Sequence, residues 1–248
     1  MIEFCHISKS FRTDFWARPI NALTDVSFQL SSKEVTGFLG ANGSGKTTTL
    51  KILMHFISAS AGEVVYAPEL GKTFLEIVSN IGYMPERPYF YSNLTGREFL
   101  FYMGSLNEVK MPLLRERVSR WGERLQIAHA LDRKINNYSK GMLQRLGLVS
   151  ILLHGPQLLI LDEPLSGVDP IGRKEMKAAL DEIHKEGKTI FFSSHIVPDI
   201  EEICTSVVVL EEGKVRYSGP VDALLGRNSN KKEGPSLEDM VYKLGKLP

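Results

Sequence analysis

The amino-acid sequence predicts an α/β fold, a mostly parallel sheet flanked by helices and interrupted by a helical insertion. Three features predict it. The apolar run VTGFL at residues 35–39 leads into a glycine-rich loop and then into a helix. Two more runs of strand length, QLLILD at 157–162 and KTIFFSS at 188–194, enclose a segment with helical spacing. Residues 93–155 carry helical patterns and no strand pattern.

In chain order, Val26, Phe28 and Leu30 alternate with Ser27 and Gln29, the signature of a half-buried strand ahead of VTGFL. A helix is expected from Lys46, with Leu50, Leu53, Met54 and Ile57 on one face. Thr95 and Glu98 stand at the spacing of a capping box, and Phe99, Tyr102, Met103 and Leu106 share a helical face. Asn137, Tyr138 and Ser139 lead into Met142, Leu146, Val149 and Leu153, a capped amphipathic helix start. Met176, Ala179, Leu180 and Ile183 mark the helix between the two later strands, and SVVVL-EEG-KVRYS at 206–218 reads as a hairpin turning at Gly213. The stretch 226–236 is polar and reads as a linker, followed by a short docking helix bearing Leu237, Met240, Val241 and Leu244. The implied division is a core from 1–92 and 156–225, a helical subdomain from 93–155, and a tail from 226–248.

With 248 residues, 43% of them hydrophobic and 24% charged, the chain has the composition of a soluble protein with a sizeable core. A net charge of +1 and the lack of a Lys/Arg stripe argue against a nucleic-acid partner. Cys5 and Cys204, far apart, suggest neither a disulfide framework nor a zinc site, so a reducing cytoplasm is expected. MIEFCHISKSF has no secretory apolar core, and no apolar run approaches the roughly 18 residues a membrane helix needs.

The chemistry concentrates at strand ends. GANGSGKT, Gly40–Thr47, fits the phosphate-loop pattern GxxxxGK[ST] between a strand and a helix. Gly40, Gly43 and Gly45 let backbone N–H groups turn toward a phosphate, with Asn42 and Ser44 between them. Lys46 brings a point charge to the outer phosphates, and the Thr47 hydroxyl is a ligand for Mg²⁺, with Thr48 beside it. LLILDEP puts Asp162 and Glu163 at the end of an apolar strand, which assigns Asp162 to the metal and Glu163 to taking a proton from an attacking water. His195 follows FFSS at another strand end, placed to touch a γ-phosphate. A second anion site is suggested by the helix start at Ser139.

Phosphate loop, YSKGM, LLILDEP, SGVD and SSH, in that order across nearly the whole chain, resemble the ATP-binding cassette of ABC transporters. The resemblance implies a P-loop NTPase-type sheet with an N-terminal antiparallel β part and an inserted helical signature subdomain. It implies ATP and Mg²⁺ as cofactors, and head-to-tail pairing with a second cassette, most simply a second copy. Ser139 and the Gly141 backbone would then touch the γ-phosphate held by the partner, His195 would be the switch histidine, and Asp169 of SGVD would lie at the dimer interface. Phe11 matches the aromatic that stacks on adenine; Phe15 and Trp16, in a longer-than-usual stretch before Leu23, leave a second choice open.

This chain departs from the commonest family pattern at two places. The signature, usually Leu-Ser-Gly-Gly-Gln, is Tyr138, Ser139, Lys140, Gly141, Met142, so that Lys140 is expected to add charge near the bound phosphates and Met142 lacks the amide. Glu86 stands where Gln is usual and is expected to meet Mg²⁺ or its water. Both variants resemble the exporter branch of single-cassette subunits, peripheral on the cytosolic face of a membrane. The region from Glu86 to Tyr91 would receive a helix of the integral membrane permease. The competing reading is a soluble ABC ATPase acting on ribosomes or nucleic acid, whose members usually carry two cassettes, a coiled-coil insertion or a basic linker; none is present here. A guanine-reading Asn-Lys-x-Asp is also lacking.

Overall fold

The computed structural model describes residues 1–12, 16, 19–226 and 237–244, the last four by backbone alone. The chain forms two compact units, residues 1–72 with 189–248, and residues 73–188. The sequence-based boundaries at 92/93 and 155/156 divide the second unit, which contains the whole of 93–155.

The first unit opens with strands β1 (Ile2–Phe11) and β2 (Ile20–Leu30), then β3 (Val35–Leu39), helix α1 (Lys46–Leu53) and β4 (Ala61–Tyr66). β1 pairs antiparallel with β2 on one side and β4 on the other. α1 ends earlier than its apolar spacing suggested. Met54 is its C-cap and His55 takes a left-handed φ of 54°, so Ile57 lies beyond the helix.

The second unit runs through α2 (Phe74–Ser79), β5 (Ile81–Met84), α3 (Gly96–Leu106), α4 (Met111–Arg124), α5 (Lys140–Leu152), β6 (Leu158–Leu161) and α6 (Pro170–Lys185). β5 and β6 pair in parallel, Ile81 with Leu158 through Met84 with Leu161. The Thr95 capping box is formed: its hydroxyl accepts from the Glu98 amide at 3.1 Å, and the Glu98 carboxylate accepts from the Thr95 amide at 2.8 Å. Phe99, Leu114, Val118, Trp121, Leu146 and Val149 bury the contact faces of α3, α4 and α5.

The first unit resumes with β7 (Thr189–Ser194), α7 (Val197–Ile203), β8 (Ser206–Glu211), β9 (Lys214–Pro220), α8 (Val221–Leu224) and α9 (Leu237–Leu244). β3 lies between β7 and β8, parallel to both, and β9 closes the expected hairpin antiparallel to β8. β3 and β7 are buried along their whole length, as parallel strands covered on both faces must be. A ring cluster joins this sheet to the antiparallel one: Phe4 stacks on Phe28 at 4.1 Å, and Phe28 meets Phe38 and Phe191 at 5.8 and 6.0 Å. The linker expected over 226–236 lies, apart from Gly226, outside the described residues, as do the side chains of Val241 and Leu244; Leu237 is buried.

The surroundings of one titratable side chain in the second unit disfavour its charged form. His154 donates from Nε2 to the Ile81 carbonyl at 3.2 Å, while its buried Nδ1 has no hydrogen-bond partner. Burial, reinforced by the charges of Arg117 and Lys188, holds its pKa below the ordinary 6.5. The folded chain therefore resists the proton that the unfolded chain takes up, so stability falls as pH drops below 6.5. Thermal denaturation followed from about pH 7.5 to about pH 5.5 should show this loss, and His154→Asn should flatten that part of the curve.

Candidate functional site

The motifs are divided between the units, the phosphate loop and SSH in the first and YSKGM, LLILDEP and SGVD in the second, and each is built by its own unit. In the first, β3 ends at Leu39 and the phosphate loop wraps from Gly40 into α1. Gly45 caps the helix in a left-handed conformation, φ 111°, that a side chain rarely adopts. Lys46 is 6% exposed and donates from Nζ to the carbonyls of Gly40 at 2.6 Å and Ala41 at 3.3 Å, so its ammonium lies over the loop. Thr47 is exposed and Thr48 half-buried in the first turn of α1.

The loop is braced from behind by the β8–β9 turn. The Gly213 amide donates to the Ser44 carbonyl at 2.9 Å, and the Gly213 carbonyl accepts from the Thr24 amide at 2.8 Å. Gly40 sits so close to β8 that a Cβ there would fall 2.4 Å from the Leu210 carbonyl oxygen and 2.5 Å from Ser44 Oγ. Ser44 is buried and its hydroxyl has no hydrogen-bond partner. A cavity of about 370 Å³ borders this face, with Gly40–Ser44 on one wall and Glu211, Glu212 and Arg216 on the other.

His195 is exposed one residue past β7. Because Leu39 is in register with Ser194, Gly40 and His195 leave adjacent strands at the same sheet edge. Phe11 ends β1 and is 41% exposed, with the Lys9 ammonium 5.1 Å from its ring centre. Trp16 is 91% exposed, and Phe15 lies outside the described residues.

In the second unit, Asp162 follows β6 and is 1% exposed; its amide donates to the Met84 carbonyl at 2.8 Å. Tyr83 nearby has its pKa pushed up to about 12 by burial and then by the Asp162 charge. Glu163 is held at φ 49°, uncommon for a side chain other than glycine, and its carbonyl accepts from the Ser166 amide at 3.0 Å. Asp169 caps α6, its carboxylate accepting from the Gly172 amide at 3.5 Å.

Ser139 caps α5 as its sequence spacing predicts, its hydroxyl accepting from the Met142 amide at 3.2 Å. Tyr138, in place of the family's usual Leu, is buried and donates to the Ala130 carbonyl at 2.6 Å. A Cβ on Gly141 would meet nothing closer than 3.9 Å, so this glycine is not crowded by its own unit. Glu86 is exposed, and its backbone is fixed by the buried Gln144 of α5, whose Nε2 donates to the Glu86 carbonyl at 3.1 Å.

Beside Glu86, an aromatic groove of about 260 Å³ opens between the Tyr83–Tyr91 segment and α3 and α5. Tyr89 meets Tyr91 edge-on at 5.9 Å, Tyr91 meets Tyr102 edge-on at 5.6 Å, and Phe90 packs into Phe99 at 5.1 Å. Phe90 and Phe99 form the floor, whereas Tyr89 and Leu106 are 83% and 60% exposed.

The family model described as ABC transporter matches residues 23–166. The chain belongs to this family. An uncharacterized ABC transporter ATP-binding protein of Synechocystis sp. is 39% identical over 233 residues, 92% of this chain and 65% of that protein. The bacitracin transport ATP-binding protein BcrA of Bacillus licheniformis is 38% identical over 205 residues, 82% of this chain and 66% of the relative. The chain thus spans just under two thirds of the length of both. A solved structure of an ATP binding subunit of an ABC transporter matches with a TM-score of 0.84 at 26% identity, covering 99% of each chain.

For this ABC family chain, the donor types fit a magnesium-bound nucleotide: a hydroxyl at Thr47 and carboxylates at Asp162 and Glu86 are hard oxygen donors. Among the described residues, no cluster of three or more His, Cys, Asp or Glu forms a metal cage of its own. Sequence reasoning did not find Gln144 or the bracing role of Gly213, because both act through backbone atoms of residues far away in the chain. The crowding at Gly40 predicts that Gly40→Ala will weaken ATP binding at least about tenfold, read by equilibrium nucleotide titration, with the far-UV circular dichroism of the fold retained.

Proposed function

We propose that this chain is the ATP-hydrolysing subunit of a membrane transporter. The observation that carries the reading is the phosphate loop at the end of β3, with Lys46 folded over its carbonyls and Ser44 braced by the Gly213 amide. Gly40, Asn42, Gly43, Ser44, Gly45, Lys46, Thr47 and Thr48 bind the phosphates, and Phe11 carries the adenine. Thr47, Asp162 and Glu86 are the residues that would hold Mg²⁺, which when bound would neutralise charge on the outer phosphates.

Two cassettes, most simply two copies of this chain, pair head to tail around ATP. Ser139 and Gly141 of each reach the γ-phosphate on the other, and Asp169 lies where they meet. The Glu163 carboxylate takes a proton from water as the water oxygen attacks the γ-phosphorus; the bond to the leaving ADP oxygen breaks, and phosphate is released. His195 contacts the γ-phosphate as the switch histidine. Residues 93–155 act as the signature subdomain.

The aromatic groove from Glu86 to Tyr91 receives a helix of a separate membrane permease, so the chain works on the cytosolic side of a membrane. Among the described residues, no helix is long and apolar enough to cross a bilayer. Export is the proposed direction. It rests on the signature and Glu86 variants and on the relative named for bacitracin transport.

Glu163→Gln should slow ATP turnover by roughly 10²–10⁴-fold and leave ATP affinity within about twofold, checked by phosphate release and nucleotide titration. Native turnover in that variant would remove Glu163 from the mechanism. Tyr91→Asp, which puts a charge into the groove, should release most of the copurifying permease from native membranes while ATP affinity is unchanged; undiminished permease recovery would move the docking surface elsewhere.

A further inference from the structure

The departure at Lys140 has a structural counterpart that the sequence did not suggest. Lys140 is the first residue of α5, where the free N–H groups of the helix disfavour a cation. Its side chain lies over the SGVD turn of the same unit. Nζ is 3.4 Å from the Ser166 hydroxyl, a long hydrogen bond, and the stem covers Gly167. Gly167 has φ 72°, and a Cβ there would fall 2.4 to 2.6 Å from Lys140 Cδ, Nζ and Cε. The lysine occupies the space that only a glycine leaves open.

The contact continues along α5. A Cβ placed on Gly141 would stand 3.9 to 4.0 Å from Val168 and Asp169, so the helix start lies against the same turn. One turn further on, Arg145 forms a 2.8 Å ion pair with Glu175 of α6, with side chains only 14% and 21% exposed, and a second nitrogen donates to the Leu125 carbonyl at 3.2 Å. The first half of α5 and the segment 166–175 are thus matched point by point. Arg145 holds the far end, where burial makes the pair less screened than a surface one. Lys140 holds the near end, beside Ser139.

We propose that Lys140 is a positioning residue that fastens the YSKGM loop to the SGVD turn, so that the two loops move as one body. The ammonium serves the turn and not the phosphates directly. The inference rests on the ATPase reading above, in which both loops face the nucleotide of the opposing cassette. A fastening of this kind acts on closure of the pair and leaves capture of ATP by the phosphate loop alone, so its loss lowers kcat and spares KM.

The test is a double-mutant cycle in steady-state ATP hydrolysis on the full chain: Lys140→Met, which keeps the stem, Ser166→Ala, and the pair together, with Lys140→Arg as the conservative variant. Each single change should lower kcat by about fivefold, the double should be no slower than either single, KM should stay within about twofold, and Lys140→Arg should restore most of the rate. Multiplying effects in the double, native kcat in Lys140→Met, a raised KM, or a loss in Lys140→Met with none in Ser166→Ala would each overturn the proposal, the last by making Lys140 a direct phosphate ligand. A wild-type chain that hydrolyses no ATP defeats the ATPase reading and this inference with it. Wild-type turnover combined with any of the overturning results defeats this inference alone.

Discussion

The hydrogen bond from the Gly213 amide to the Ser44 carbonyl, 2.9 Å long, holds the phosphate loop to the sheet from behind, and the site depends on it. A loop that offers backbone N–H groups to a ligand cannot use them in a helix or strand, so something else must hold its shape against chain entropy. Here the carbonyl side does the holding. Ser44 accepts from the hairpin turn, Gly40 and Ala41 accept from Lys46, and Gly40 lies against the Leu210 carbonyl oxygen too closely for a side chain. The hairpin turn is fixed in turn by Thr24 of β2. The antiparallel strands thereby contribute to a site whose residues lie elsewhere in the sequence.

The second unit follows a different logic, with α5 as its hub. One helix carries the Ser139 cap, fixes the Glu86 backbone through Gln144, and pairs with α6 through Arg145. Gly147 on the same helix leaves room for Met84, Pro88 and Phe90, which shape the aromatic groove. A shift of α5 would therefore be felt at the groove, at Glu86 and at the SGVD turn together. Tyr138 stiffens the approach to this helix through its bond to the Ala130 carbonyl, a role that the usual leucine cannot fill. The chain has changed the signature residues and kept the cap.

What the sequence made legible was local. VTGFL, LLIL and TIFFSS are buried on both faces, so their apolar runs are uninterrupted, and GANGSGKT sits where the strand-to-helix change requires. The capping box at Thr95 and the cap at Ser139 could be read because a helix start is encoded within four residues. β1 and β4 lacked such a signal. β4 pairs with β1 far back in the sequence, and in the β1–β2 pair register shifts, with His6 and Asp25 in left-handed conformations, break the two-residue alternation. The orientation of Lys140 was likewise invisible: the sequence placed a charge near the phosphates, while the fold lays its stem over Gly167, 27 residues later in the chain.

The central claim is that one chain's phosphate loop and the Ser139 helix start of a second cassette share one nucleotide. Sedimentation velocity of the Glu163→Gln chain, in ATP with Mg²⁺ and separately in ADP with Mg²⁺, tests it most directly. The account predicts a dimer in ATP and a monomer in ADP, with the ATP dimer lost when Ser139→Glu places a carboxylate where the γ-phosphate would bind. A chain that binds ATP and stays monomeric, or a dimer indifferent both to the nucleotide and to Ser139→Glu, would contradict it.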